Sequence, residues 1–309
     1  AETIIAITFT NKAAGEMRSR LQNAKFQLPD AKLFVGTFHS LGARILKAEA
    51  ALAGRNARFT IFDEEDALSL LKKVLQAMNL NKEDYRPASL RYAISHTKNE
   101  LLAQPEGKVA QAVFRNYEAA LAANNAFDFD DLIEKVVRLF ERERAVLERY
   151  QKRWAHILID EFQDINTSQY RLVQLLAREH RNLCVVGDDF QSIFGFRGAD
   201  YRNFLNFEKD WPEAKVVLLE ENYRSDANII KAANAVIGHN VRQKKKTLWT
   251  GNPAGAAIQV LAAADENEEA ALAAEQAVTL MRQGEMLEET AMLYRTNAQS
   301  RALEQALIV

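Results

Sequence analysis

A single cysteine, Cys184, occurs in the 309 residues. With no partner in the chain it forms no internal disulfide, and a reducing compartment is the expectation. Its place inside the apolar run LCVVG reads as that of a small buried hydrophobe. Long apolar runs are missing as well: no window holds the roughly 18 uncharged apolar residues that a membrane helix needs. The opening AETIIAITFT has neither the basic n-region nor the cleavage site of a signal peptide. Excess charge of one sign is absent, since 40 Lys and Arg face 42 Asp and Glu for a net charge of −2. That balance argues against a broad basic surface, although a groove lined by local cations needs no net positive charge. No Gly-rich turn ends in Gly-Lys-Ser/Thr, the pattern with which backbone N–H groups and a lysine cradle phosphates. The Gly-Lys pair that does occur, Gly107-Lys108, runs into Val109 inside a helical pattern.

What is present describes a globular chain of more than one core. At 309 residues two or three domains are expected, and 48% apolar with 27% charged residues suits a soluble protein. TIIAITFT (3–10) reads as a buried strand, followed by a helix that Thr10 or Asn11 can cap and whose Ala14, Met17 and Leu21 share a face. LFVGTFHSLGARIL (33–46) repeats the strand-to-helix step, and two such units in succession predict a parallel α/β sheet. From about residue 51 to 125 the pattern turns helical, with an acidic-capped amphipathic helix over 62–80, another over 106–125 and no strand expected between. Strands are expected again at 157–160, 183–188 and 215–219. Then come a cationic loop at 243–257, a helix over 262–284 and a last strand at 290–296. No internal repeat or low-complexity tract interrupts this order.

Several short stretches carry chemistry, each with a plainer alternative. ILIDEFQD (157–164) is an apolar run that ends in Asp160, Glu161, Gln163 and Asp164. An Asp at a strand end can hold Mg²⁺ through water while the next Glu orients or deprotonates an attacking water. Alternatively, the acids favour the positive end of the helix that follows. In VVGDDFQSIFGFRGAD (185–200), aromatics beside Arg197 in a Gly-containing turn form a base-stacking platform, or Phe194 and Phe196 pack beneath a loop. In ENYRS (221–225), Tyr223 can stack on a purine and Arg224 can brace a phosphate with its planar fork. TFTN (8–11) and TFHS (37–40) place hydroxyls and an aromatic where a strand meets a helix, and the exposed N–H groups there suit backbone phosphates. His39 by itself equally suits a structural histidine. FDFDDL (127–132) reads mainly as capping, with Asp128 or Asp130 starting the next helix.

The order of these stretches carries more than any one of them. ITFTNKAAGEMRSRL, GTFHS, FDFDDLI, ILIDEFQD, VVGDDFQSIFGFRGA, LEENYRS and LYRTNAQSRALE succeed one another from residue 4 to residue 305. In that succession the chain resembles superfamily 1 DNA helicases of the UvrD/Rep/PcrA type. The likeness is densest in the α/β stretches and faint across 51–125.

The resemblance implies an ATP-driven translocase that unwinds duplex DNA in the 3′ to 5′ direction, in repair or replication, in the bacterial cytoplasm and associated with the nucleoid. Its partners would be single-stranded DNA and single-strand/duplex junctions, with no membrane. The implied fold is α/β: two RecA-like motor domains of the P-loop NTPase kind, the first spanning 1–50 and 126–213, with a helical accessory insertion at 51–125 and a second beginning at 214. By similarity Asp160 would serve Mg²⁺, Glu161 would be the catalytic base, Gln191 would sense the γ-phosphate, Tyr223 would stack on adenine and Arg224 would be an arginine finger. The DNA track would use Phe9, Thr10, Asn11, Thr37, His39, Phe194, Phe196, Arg197, Arg295 and Asn297. Phe190 stands where many relatives carry a third acid, and Phe194 and Phe196 replace the Tyr and Trp of some; stacking survives without the polar handle. In relatives the phosphate loop lies upstream of ITFTN, before Ala1, so the 309 residues alone are expected to be inactive as an ATPase. The competing expectation is a non-catalytic nucleic-acid or partner-binding module, against which the joint presence of Asp160, Glu161, Gln191 and Arg224 argues.

Overall fold

The computed structural model describes residues 3–23, 33–198, 200–241 and 243–308. The chain divides into two compact units, 1–218 with 240–245 and 219–239 with 246–309.

The first unit begins with β1 (Ile4–Thr8), α1 (Asn11–Asn23), β2 (Phe34–Thr37) and α2 (Phe38–Ala48). Thr10 caps α1, its Oγ1 accepting from Ala13 N at 3.0 Å. Thr37 and Ser40 close a reciprocal capping box at the start of α2. Next come β3 (Thr60–Phe62), α3 (Glu64–Ala77), α4 (Pro87–Asn99), α5 (Lys108–Ala123) and β4 (Ala126–Asp128). Asp63 caps α3 by accepting from Asp66 N at 2.9 Å. The unit continues through α6 (Asp131–Arg142), α7 (Arg144–Arg153), β5 (His156–Ile159), α8 (Thr167–Ala177), β6 (Leu183–Val185), α9 (Tyr201–Leu205) and α10 (Phe207–Asp210).

Four strands form one parallel sheet in the order β2-β1-β5-β6. Ile5, Ile7, Ile157 and Ile159 are buried in it and pack with Phe38, Leu41, Ile133, Val137, Phe162 and Leu172 from the helices and the turn after β5. Gly42 sets how closely α2 approaches α6, because a Cβ there would lie 1.9 Å from the Leu132 carbonyl oxygen. A second core joins Leu71, Leu75, Ile94, Val113, Tyr117 and Leu121 of α3, α4 and α5.

Between the two cores lies a buried charged cluster. Lys98 Nζ sits 2.7 Å from Glu118, 2.9 Å from Asp128 and 2.7 Å from Asp131. Tyr117 donates its hydroxyl to Asp128 at 3.0 Å, and Lys135 approaches Glu118 at 2.6 Å. Burial disfavours the Lys98 charge, but the three carboxylates outweigh it and hold the amine well above the usual lysine range. Burial, then the Asp128 charge, pushes Asp131 up to about 7 against the pull of Lys98 and Lys135.

Several sequence expectations change here. Between the helices Glu64–Ala77 and Lys108–Ala123 no strand occurs among the described residues, as expected; ahead of them Thr60–Phe62, which the sequence did not mark as a strand, pairs in parallel with Ala126–Asp128 across the whole helical stretch, and three residues are too few to show a period. Cys184 is exposed, not buried. It pairs in register with Leu158, itself 41% exposed, so both face the side of the sheet that the described residues leave open there. Strand β6 stops at Val185, short of residue 188. The stretches 215–219 and 290–296 are not strands; Val217 and Leu293 are 67% and 96% exposed, and β-branched composition makes no strand without a neighbour to complete the ladder. As for FDFDDL, Asp128 does cap, accepting from Asp131 N at 2.9 Å, whereas Asp130 makes no cap bond and binds Arg91 instead.

In the second unit, α11 (Ala227–Ile237), α12 (Glu266–Arg282) and α13 (Ser300–Ile308) are joined by irregular chain. A lone parallel bridge links Glu221 to Trp249, and the Asn234 amide brackets Leu248 with bonds of 2.7 and 3.2 Å. Asp265 caps α12 by accepting from Asn267 N and Glu268 N. No helix among the described residues is long and apolar enough to cross a membrane.

Replacing Lys98 with Ala leaves buried Asp128 without its ion-pair partner and leaves Asp131 and Glu118 with Lys135 alone, which should destabilise the first unit by about 3–5 kcal/mol. Urea unfolding of Lys98→Ala against the unsubstituted chain measures this; a loss under about 1 kcal/mol would mean the cluster is open to water.

Candidate functional site

Parallel pairing sends the C-terminal ends of β1, β2, β5 and β6 to one edge of the sheet, and most of the residues singled out in the first unit follow those ends. Asp160 N donates to Ile7 O at 2.8 Å, Val186 N to Ile159 O at 2.8 Å and Phe162 N to Val186 O at 2.9 Å. Asp160 and Glu161 therefore emerge between the segment Phe9-Thr10-Asn11 after β1 and the segment Gly187–Gln191 after β6.

The turn after β5 is unusual. Glu161 takes φ 53° and ψ 42°, the left-handed region that a non-glycine residue enters at a cost of about 1–2 kcal/mol. Its N–H donates to Asp160 Oδ1 at 3.0 Å, and its carboxylate accepts from Gln163 Nε2 at 2.8 Å. Burial, reinforced by the Glu161 charge, pushes Asp164 up to about 6. Across the turn, Asp188 N donates to Gln163 Oε1 at 2.9 Å, and Gln191 Nε2 donates to Asp188 Oδ2 at 2.8 Å. Gln163 was left without a role by the sequence, yet it joins Glu161 to the loop that carries Gln191.

Two aromatic pairs lie at the same strand ends. Phe9 and Phe194 meet with ring centroids 5.3 Å apart. His39 and Phe129 stack at 4.1 Å with planes 29° apart, and Phe129 is 50% exposed. Burial, partly opposed by Asp130, lowers His39 to about 4, so at neutral pH its ring is uncharged and acts by stacking or as a neutral hydrogen-bond partner. Phe129 escaped sequence reasoning because FDFDDL reads as a helix start. The signal for it was an apolar residue at a position where capping needs none.

Thr10 and Thr37 spend their hydroxyls on helix caps, and Asn11 is exposed in the first turn of α1. The side chains of Phe196 and Arg197 lie outside the described residues. In the second unit Tyr223 is 78% exposed and donates its hydroxyl to Glu221 at 2.5 Å, which raises its pKa. Arg224 follows in a turn whose N–H donates to Asn222 Oδ1 at 3.0 Å. Arg295 and Asn297 are exposed, with Arg295 N donating to Gln299 Oε1 at 3.0 Å.

No three His, Cys, Asp or Glu side chains among the described residues form a metal cage. The single strand-end carboxylate of Asp160 suits a hard cation that keeps its waters and takes its remaining oxygens from a phosphate, the usual situation of Mg²⁺.

Comparison with known proteins identifies the family of both parts of the chain. Residues 1–212 match the UvrD/REP helicase N-terminal domain, and residues 217–309 match the UvrD-like helicase C-terminal domain. The ATP-dependent DNA helicase PcrA of Staphylococcus epidermidis is 45% identical over 314 residues, covering 99% of this chain and 43% of the relative. The ATP-dependent DNA helicase PcrA of Staphylococcus aureus is 44% identical over the same length, with the same coverage. The chain thus spans less than half the length of these relatives.

The His39 pKa predicts an acid dependence of stability. An unfolded histidine binds its proton near pH 6.5, whereas folded His39 resists until about pH 4. Its contribution is complete above pH 6.5 and is lost as pH falls towards 4. Between pH 7 and 5 the first unit should lose about 1–2 kcal/mol on this account. Urea midpoints of the unsubstituted chain and His39→Gln should therefore converge as pH falls; curves that stay parallel would place the histidine in water.

Proposed function

The chain belongs to the UvrD/REP helicase family, and from that premise we propose that it forms the central part of an ATP-hydrolysing DNA translocase and helicase. The observation that carries this reading is the bonded sequence Glu161–Gln163–Asp188–Gln191, followed within three residues by the Phe194 ring against Phe9. The carboxylate that we assign to water activation and the aromatic that we assign to base stacking thus lie on two adjoining segments joined by hydrogen bonds.

In this reading Asp160 would hold Mg²⁺, Glu161 would orient and deprotonate the attacking water, and Gln191 would contact the γ-phosphate. Bound Mg²⁺ would supply charge neutralisation on the phosphate oxygens. We assign adenine stacking to Tyr223 and an arginine-finger role to Arg224. Single-stranded DNA would cross Phe9, Thr10, Asn11, Thr37, His39, Phe194, Phe196 and Arg197 on the first unit, and Arg295 and Asn297 on the second. Neutral His39 with Phe129 adds a stacking platform to that track. We assign 1–50 and 126–213 to a first motor domain, 51–125 to an accessory insertion and the residues from 214 to a second motor domain. Movement in the 3′ to 5′ direction, action at single-strand/duplex junctions, a place in repair or replication, and a cytoplasmic, nucleoid-associated location complete the proposal.

Two measurements test it. The 309-residue chain, which contains no Gly-Lys-Ser/Thr turn, should show no DNA-stimulated ATP hydrolysis. A chain extended to the relatives' length should show it, and Glu161→Gln there should lower kcat by at least about 100-fold. Hydrolysis that is indifferent to DNA, or that survives Glu161→Gln, would sink the proposal. For the DNA track, Phe129→Ala should weaken single-strand affinity by about 1–3 kcal/mol at fixed salt; an unchanged affinity would remove the His39–Phe129 platform from it.

A further inference from the structure

Gln163 is 1% exposed and sits between the Glu161 carboxylate and the loop after β6, bonded to both. Its amide nitrogen donates to Glu161 Oε2 at 2.8 Å, and its amide oxygen accepts from Asp188 N at 2.9 Å. The orientation of the amide is fixed by these partners: a carboxylate needs a donor and a backbone N–H needs an acceptor, so the reversed amide would fail at both. The loop comes close because residue 187 is glycine. A Cβ there would lie 2.8 Å from Gln163 Oε1 and 2.8 Å from the Phe204 ring. Asp188 in turn accepts from Phe190 N at 3.0 Å and from Gln191 Nε2 at 2.8 Å.

Glu161 needs such a partner. Its left-handed backbone breaks the strand, so no regular ladder fixes the direction of its side chain. The Asp160 carboxylate holds the Glu161 N–H but leaves the Glu161 carboxylate itself free to rotate. Among the described residues, the Gln163 amide is the group that bonds it.

We propose that Gln163 is a positioning residue for hydrolysis: it orients the Glu161 carboxylate towards the attacking water and ties that orientation to the loop bearing Gln191. The inference rests on the proposed ATP-hydrolysing reading. A shift of the 188–191 loop, whether driven by nucleotide or by DNA at Phe194, then moves the Asp188 N–H, the amide and the Glu161 carboxylate together. Neither bond involves a proton transfer, so Gln163 itself takes no part in the chemistry.

The test uses the chain extended to the relatives' length, with ATP and single-stranded DNA as probes. Gln163→Glu keeps the shape and can still accept from Asp188 N, but it replaces the donor with a charge facing Glu161; Gln163→Ala removes both bonds. Both variants should lower DNA-stimulated kcat by about 10–100-fold, the usual scale for a misplaced reacting group. The KM for ATP and the single-strand affinity should stay within about twofold. In a Glu161→Asp background, Gln163→Glu should add less than about twofold, because both changes act on one carboxylate. An unchanged kcat in Gln163→Glu would overturn the inference. So would parallel losses of kcat, ATP affinity and thermal midpoint in both variants, since these mark a merely structural role. If the unsubstituted protein hydrolyses no ATP, or if Glu161→Gln is fully active, the underlying reading fails and takes this inference with it. An active unsubstituted protein, an inactive Glu161→Gln and a normal Gln163→Glu sink only the role of Gln163.

Discussion

Parallel strand pairing is the constraint on which the first unit's site depends. In an antiparallel sheet, neighbouring strands end at opposite edges. Here β2, β1, β5 and β6 all run the same way, so Phe9, His39, Asp160 and Gly187 follow strand ends at one edge although they lie far apart in sequence. The register is tight enough to matter. Ile7 pairs with Ile159 and Thr8 with Thr37, which leaves the segments after β1, β2 and β5 starting within about one residue of each other along the strand direction. A crevice beyond the carboxyl ends of parallel strands is where open α/β sheets usually bind ligands, and β5, with a strand on each side, supplies the central acids.

That placement would be wasted if the chain after β5 simply ran on. The left-handed turn at Glu161 stops the strand, and Phe162, buried against Tyr170 and Phe207, anchors the chain immediately behind it. An apolar anchor, an amide clamp and two acids within five residues divide the work. Packing of Phe162 offsets the cost of the turn, the amide directs one carboxylate, and the other remains at the strand end. The strain is local because the core on one side and the loop after β6 on the other leave it no room to relax.

Much of this was legible in the sequence, and the limits have physical causes. Alternating isoleucines and hydroxyl caps disclosed β1, α1, β2 and α2, since period and cap are both local signals. The acids after ILI disclosed the strand end for the same reason. Non-local facts stayed hidden. Thr60–Phe62 becomes a strand through Ala126–Asp128, far along the chain, and three residues carry no period. Cys184 resembles core in composition, but exposure depends on which helices cover the sheet, and none of the described ones covers Cys184 or Leu158. The apolar residues of 215–219 and 290–296 satisfy strand propensity without forming a ladder. At the site, Asp160 and Glu161 were recognisable from charge at a strand end. Gln163 and Phe129 were not, because their significance lies in partners contributed by distant segments.

The helical part bears on the same edge of the sheet. Asn166, the N-cap of α8 two residues beyond Asp164, donates its amide to Asn99 Oδ1 at 2.8 Å. Asn99 donates to Asp130 Oδ1 at 3.1 Å, and Arg91 holds the other Asp130 oxygen at 2.9 Å. Asp130 directly follows Phe129, the residue stacked on His39. The contacts that fix α4 against α6 and α8 are thus directional hydrogen bonds and ion pairs, centred on Lys98, and not a greasy interface that tolerates sliding. Replacing buried charges with apolar residues often leaves stability equal or higher, so stability alone is a poor reason for such a cluster. What the charges impose is one orientation of α4 and α5, because Lys98 of α4 meets Glu118 of α5 together with Asp128 and Asp131. That single seating sets Asp130, and with it the ring of Phe129, at the strand edge where the acids of β5 emerge.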